Sequence, residues 1–103
     1  MRRQEIISKT GVSQTTFTTY LRLGIILSVS QDGDTKERDY DSGSVERIKG
    51  ARQLTSLGFR LEDIKKLLDK HDGKEVLSRM DSLSLGDFQH WVNEEVPGSR
   101  NKL

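Results

Sequence analysis

The chain has 103 residues, 32% hydrophobic and 32% charged, with 17 Lys and Arg against 16 Asp and Glu and a net charge of +1. That size leads us to expect one modest core, and the near-balanced charge excludes a polybasic, histone-like mode of binding. Cys is absent and no long apolar run occurs; this excludes disulfides, thiolate metal sites, a transmembrane helix and an opening secretory signal, and fits a reducing compartment.

Ile6, Ile7 and Val12 anchor a short first helix and the turn Thr10-Gly11-Val12-Ser13. Gly11 stands where a tight helix-to-helix turn needs positive φ, and Ser13 is a good N-cap for a second helix. Phe17, Tyr20, Leu21 and Ile25 recur at helical spacing and mark that helix's buried side. Thr15, Thr16, Thr18, Thr19 and Arg22 occupy its other faces. A Thr-rich helix has poor propensity, so packing must hold it.

Gly24 closes the second helix. Residues 26–30 are expected to form a strand, Gln31-Asp32-Gly33-Asp34 a turn, and Lys36 to Tyr40 a return strand. Asp41 is the expected cap of a long helix with Val45, Ile48, Ala51, Leu54 and Leu57 on its inner stripe. Gly58 suits a left-handed stop, with Phe59 folding back on the last turn. Leu61 to Lys70 gives a fourth helix buried through Ile64, Leu67 and Leu68.

Asp72 with Glu75 has the form of a capping box and opens a helix with Val76, Leu77, Met80 and Leu83 on one side. Ser84 with Asp87 repeats the signal, and Phe88, Trp91 and Val92 form a further apolar stripe. Residues 97–103, from Pro97-Gly98 onward, have the composition of a flexible tail. Charge is unevenly spread. Arg2, Arg3, Lys9 and Arg22 meet only Glu5 before position 28, whereas Asp81, Asp87, Glu94 and Glu95 make the region after Met80 mildly acidic. A basic front and an acidic back imply an oriented approach to nucleic acid.

The joint spacing of these segments resembles the DNA-binding domain of the MerR family. The residues that carry the resemblance are Thr10-Gly11-Val12-Ser13, Thr16-Phe17, Tyr20, Gly24-Ile25-Ile26, Arg38-Asp39-Tyr40-Asp41, Glu46-Arg47-Ile48, Leu57-Gly58-Phe59 and Leu61-Glu62-Asp63-Ile64. The combined pattern is far more specific than any single piece. It implies a mainly α fold: a MerR-like winged helix-turn-helix over residues 1–70, with a two-stranded wing, then additional C-terminal helices over 71–96.

The resemblance also implies roles. The second helix would enter the major groove of double-stranded DNA through Ser13, Gln14, Thr15, Thr16, Thr18 and Thr19. Lys36 and Arg38 on the wing would hold the backbone, with Arg2, Arg3, Arg22 and Arg60 around the rim. Tyr20 is either a packing residue or a phosphate ligand, and Tyr40 a packing residue. The departures are informative. Thr15 stands where the family usually has Arg, and Thr18-Thr19-Tyr20 stands for Arg-Tyr-Tyr. Hydroxyls still bond phosphates and bases, yet without charge they release fewer counterions. Binding by one protomer is therefore expected to be weak, which favours a homodimer, a cooperative assembly on DNA or help from a protein partner. Arg60 replaces the usual Ser at the fourth helix's cap, a loss of about 1 kcal/mol of capping.

Activators of this family continue into a long coiled coil and often a ligand or metal domain. The stretch 73–96 is broken by Ser84 and Gly86 and has no sustained heptads, so an effector-free, repressor-like regulator is expected. Leu77, Met80, Leu83, Phe88, Trp91 and Val92 would either cap the domain's own core or form a dimer contact. No Gly-rich phosphate loop, Cys nucleophile or paired His site is present, so no catalytic residue, metal or cofactor is expected, and His71 and His90 read as ordinary helix-end or surface residues. The expected setting is the cytoplasm, at the bacterial nucleoid, with no membrane partner. Two other functions fit the same sequence: an architectural or accessory DNA-binding protein of a mobile element, and a protein-interaction module that docks through the Trp91 region.

Overall fold

A computed structural model describes residues 1–31 and 38–99, with the side chains of residues 28–31 and 38 outside that description. The chain opens with helix α1 (Arg3–Thr10), which buries Ile6. Gly11, at φ +74°, sends its N–H back to the Ile7 carbonyl and turns the chain. A Cβ-bearing residue adopts this left-handed geometry only under strain. Arg52, from a later helix, donates from Nη1 to the Thr10 carbonyl at 2.9 Å and fixes the turn from outside.

Helix α2 (Gln14–Arg22) starts as its sequence implies: Ser13 is extended and its Oγ accepts from the Thr16 N–H at 3.0 Å. Phe17 and Tyr20 face inward. The expected strand from Ile26 starts later, because the Tyr20 carbonyl accepts from the amides of both Ile25 and Ile26, at 2.9 and 3.3 Å. Those two apolar residues are spent on the exit from α2 and are fully buried. Strand β1 (Ser28–Gln31) pairs antiparallel with β2 (Arg38–Tyr40), matching Ser28 with Tyr40 and Gln31 with Arg38, with an irregularity between Ser28 and Ser30. The turn expected at 31–34 falls largely outside the described residues, as does the segment around Lys36. Tyr40 is buried, its ring edge-on to Phe17 at 5.3 Å, so the strand pair is anchored to the underside of α2.

Asp41 does not cap the next helix. Its Oδ1 accepts from the Gly43 N–H at 3.0 Å, closing a local turn, and helix α3 (Ser44–Ser56) begins beyond it without a side-chain cap. A short acceptor next to a flexible glycine finds the nearer amide first. Otherwise α3 follows its stripe, burying Val45, Ile48, Ala51 and Leu54. Phe59 folds back after Gly58, its N–H on the Leu54 carbonyl. Helix α4 (Leu61–Lys70) buries Ile64, Leu67 and Leu68.

Helices α5 (Gly73–Ser82) and α6 (Leu85–Glu95) are opened by Asp72 and Ser84, whose side chains accept from the amides of Glu75 and Asp87. Only half of the expected capping box forms, since the Glu75 carboxylate lies at His71 and Arg79 instead of returning to Asp72. The start of α5 presses on α3: a Cβ on Gly73 would stand 2.4 Å from the Glu46 carbonyl carbon and 2.5 Å from the Arg47 nitrogen. Phe88, Trp91 and Val92 are buried within this single chain, in the same cluster as Phe17, Ile48 and Val76. Met80 and Leu83 pack partly against that cluster, and Leu77 is half-buried. Trp91 lies between the Arg79 guanidinium at 4.6 Å and the His71 ring at 5.0 Å. Past α6 the chain returns to it, Ser99 Oγ donating to Asn93 Oδ1 at 2.8 Å. Residues 100–103 of the expected tail lie outside the described residues. No described helix is long and apolar enough to cross a membrane.

Candidate nucleic-acid interface

Helix α2 carries the residues expected to contact DNA on the side opposite Phe17 and Tyr20. Gln14, Thr15 and Thr18 are exposed, and Thr16 and Thr19 half-exposed. Tyr20 is only 5% exposed and belongs to the core, the packing alternative of the two open for it. Arg22, in the last turn, is exposed and makes no hydrogen bond or ion pair among the described residues.

Most of the hydroxyls are already engaged. Ser13 Oγ caps the helix and donates to Thr16 Oγ1 at 3.0 Å. Thr19 Oγ1 donates to the Thr15 carbonyl at 3.0 Å. Such back-bonding lets a Thr-rich segment satisfy its hydroxyls while remaining helical. Arg3 reaches across from α1, donating from Nε to Gln14 Oε1 at 3.0 Å and from Nη2 to Thr18 Oγ1 at 2.8 Å. Its guanidinium lies over the Phe17 ring, 4.7 Å from the centroid. A residue expected at the rim thus sits on the flank of α2, between buried Phe17 and the outward Gln14 and Thr18.

The other expected cations are spread more widely. Arg2 is exposed ahead of α1. Arg60 occupies the N-cap position of α4 without capping it and pairs with Glu62 and Asp63, each at 3.3 Å. This pairing draws down the charge it could offer a phosphate. The side chains of Lys36 and Arg38 are outside the described residues.

The residue that holds these parts in register is one whose role the sequence alone does not reveal. Arg47 of α3 donates from Nε to the Ile25 carbonyl at 2.5 Å and from Nη1 to the Leu68 carbonyl at 2.6 Å, and pairs with Asp69 at 3.3 Å. One guanidinium therefore ties the exit of α2 to α3 and the end of α4. Despite partial burial, hydrogen bonds from Lys65 and Arg47 hold the Asp69 carboxyl below its ordinary range. Its sequence signal was a place in the family-like run Glu46-Arg47-Ile48, with nothing there to say what the cation would touch.

A second polar knot fastens the C-terminal helices. His71 Nδ1 lies 3.0 Å from Glu75 Oε2, and its buried Nε2 is 3.1 Å from Glu95 Oε2, off the line of a good hydrogen bond. Burial disfavours the imidazolium, but Glu95 and Glu75 outweigh it and raise the His71 pKa above its ordinary value. His71 is thus a junction between the end of α4 and helices α5 and α6, more than the ordinary helix-end residue expected.

A helix-turn-helix with an adjoining strand pair and an exposed polar second helix has a match among known families. The sequence model described as MerR HTH family regulatory protein matches residues 1–71. The chain belongs to the MerR family. Among curated relatives, the nodulation protein NolA of Bradyrhizobium sp. (strain NC92) is 35% identical over 65 residues, 63% of this chain and 27% of that protein. The chain thus spans about a quarter of the length of that relative. No solved structure matches the chain. The segment that the MerR model matches ends at His71.

Proposed function

We propose that this chain is the DNA-binding unit of a transcriptional regulator, repressor-like in action, in which α2 enters the major groove of double-stranded DNA and the β1–β2 pair forms a wing along the backbone. The observation that carries this is the exposed polar face of α2, with Gln14, Thr15 and Thr18 outward over a buried Phe17 and Tyr20, inside a segment matched by the MerR family. A helix held this way offers hydrogen-bonding groups to base edges while its neighbours meet phosphate.

Residues 1–70 serve as the DNA-binding domain in this reading and residues 71–96 as its helical extension. Burial of Phe88, Trp91 and Val92 in their own chain supports the core-capping role for the extension. With few cations on α2, one protomer binds weakly, so the working form is a homodimer or a cooperative assembly in the cytoplasm. Ser13, Thr16, Thr18 and Thr19 contribute hydroxyls, and Arg22 contributes charge to the backbone.

The test is binding to duplexes selected from a random pool, followed by fluorescence anisotropy over a range of salt. Affinity should fall steeply with salt, and Arg22→Ala should weaken binding to all sequences and flatten the salt slope by about 1. Affinity that stays unmeasurable for every duplex at low salt would reject the proposal.

A further inference from the structure

We propose that Arg3 is a specificity-determining residue that turns the outward face of α2 into a surface of hydrogen-bond donors, selective for the keto edges of guanine and thymine over the amino edges of adenine and cytosine. This rests on the major-groove reading above. The premise is an elementary one: a guanidinium has N–H donors and no acceptor.

Whatever Arg3 touches must turn an acceptor towards it. Gln14 does so with Oε1, at 3.0 Å from Arg3 Nε, which uses one of that oxygen's two lone pairs and turns the amide nitrogen, with both its hydrogens, away from Arg3 as the main group for a ligand. Thr18 does so with Oγ1, at 2.8 Å from Nη2, which frees its hydroxyl hydrogen to donate elsewhere. Thr16 is arranged alike by a different residue, its Oγ1 accepting from Ser13. Arg3 Nη1 has no partner among the described residues and adds two more donors and the charge. The Phe17 ring under the guanidinium keeps it at the edge of this face, beside Gln14 and Thr18.

A free glutamine reads adenine by accepting from N6 and donating to N7 together, and that pairing needs oxygen and nitrogen aimed at one base. Arg3 takes one of the two lone pairs of Gln14 Oε1 and fixes the direction of the amide, which disfavours turning oxygen and nitrogen together onto one adenine. The Gln14 nitrogen instead suits guanine O6 or N7, or thymine O4, and meets the amino group of adenine or cytosine as donor against donor. Arg3 is a positioning residue for Gln14 and Thr18 and supplies a cation where α2 has none before Arg22.

The experiment selects duplexes from a random pool with the wild-type chain and with Gln14→Ala and Arg3→Met. The base pair at which Gln14→Ala loses discrimination is the one Gln14 reads. In the wild type it should present guanine or thymine on the contacted strand, preferred about tenfold over adenine, within the range of a good side chain–base pair. Arg3→Met keeps an aliphatic cover on Phe17 and releases the Gln14 oxygen, so the preference at that position should shift to adenine. Because preference is a ratio within one preparation, partial unfolding of the variant does not move it. Adenine at that position in the wild type would overturn the proposal, as would an unchanged preference in a folded Arg3→Met, while leaving DNA binding intact. Failure of the wild type to bind any duplex would overturn both.

Discussion

Replacing Gly73 by Ala tests whether α5 is part of the core. The new Cβ would stand 2.4 Å from the Glu46 carbonyl carbon, 2.5 Å from the Arg47 nitrogen and 2.6 Å from the Glu46 oxygen. These are backbone atoms of α3, so no rotamer change relieves the contact. Restoring ordinary separation means moving the start of α5 by about 1 Å, which loosens Val76, fully buried one turn further on. Overpacking of this kind costs about 1–3 kcal/mol and more when backbone must shift, against at most about 1 kcal/mol gained in helix propensity. A net loss of about 2 kcal/mol lowers the melting temperature of a domain this size by about 8–16 °C. Gly86→Ala is the control, since that site in α6 is exposed and has nothing within 4 Å of the added methyl; it should be neutral or stabilising by up to about 1 kcal/mol. Urea unfolding followed by circular dichroism reads both. Equal stability of the two variants would refute the close α3–α5 contact.

Arg47→Met retains the aliphatic stem and removes the donors from the Ile25 and Leu68 carbonyls, and a loss of about 2–4 kcal/mol is expected in urea unfolding; a change under about 0.5 kcal/mol would contradict the clamp. Ser13→Ala should cost about 1 kcal/mol by leaving the Thr16 amide uncapped, whereas Ser13→Asp should restore it, and thermal melts distinguish the two. For His71 the folded pKa is raised above 6.5, so its contribution is complete below that value and is lost as pH rises through the raised one. Melting temperature should therefore decline as pH rises from the ordinary imidazole value of 6.5 through the raised one, and His71→Gln should flatten that decline. The fluorescence of Trp91, the chain's single tryptophan, should brighten over the same interval as the nearby imidazolium is neutralised. A decline that survives His71→Gln would assign it elsewhere.

Local signals were legible in the sequence because their causes are local. Ser13 caps α2 through an amide three residues on, Gly11 turns the chain at the next residue, and apolar spacing alone reveals the stripes of α3 and α4. The family resemblance was legible from joint spacing. The start of α3 was misplaced because two amides competed for Asp41 and the nearer one won. The first strand was set too early since Ile26 looks like a strand residue, while a carbonyl at the end of α2 holds its amide together with that of Ile25. Long-range features left no local trace. Nothing near Arg3 announces Gln14 and Thr18 as its partners, nothing near Arg47 announces the carbonyls of Ile25 and Leu68, and Gly73 resembles a mere loop glycine until α3 is laid against it. On the outward face of α2 the residue types were readable; which of their atoms remain open to a ligand depended on contacts made in three dimensions.

Burial of Thr15 under bound DNA is the most direct measurement. This side chain is exposed on α2 and the chain has no cysteine, so Thr15→Cys introduces a single thiol whose alkylation rate reports access to the helix face. With saturating selected duplex the rate should drop severalfold, while the thiol introduced by Ser78→Cys, on α5 outside the proposed interface, keeps its rate. An alkylation rate at position 15 that does not change when duplex is fully bound would contradict entry of α2 into the groove.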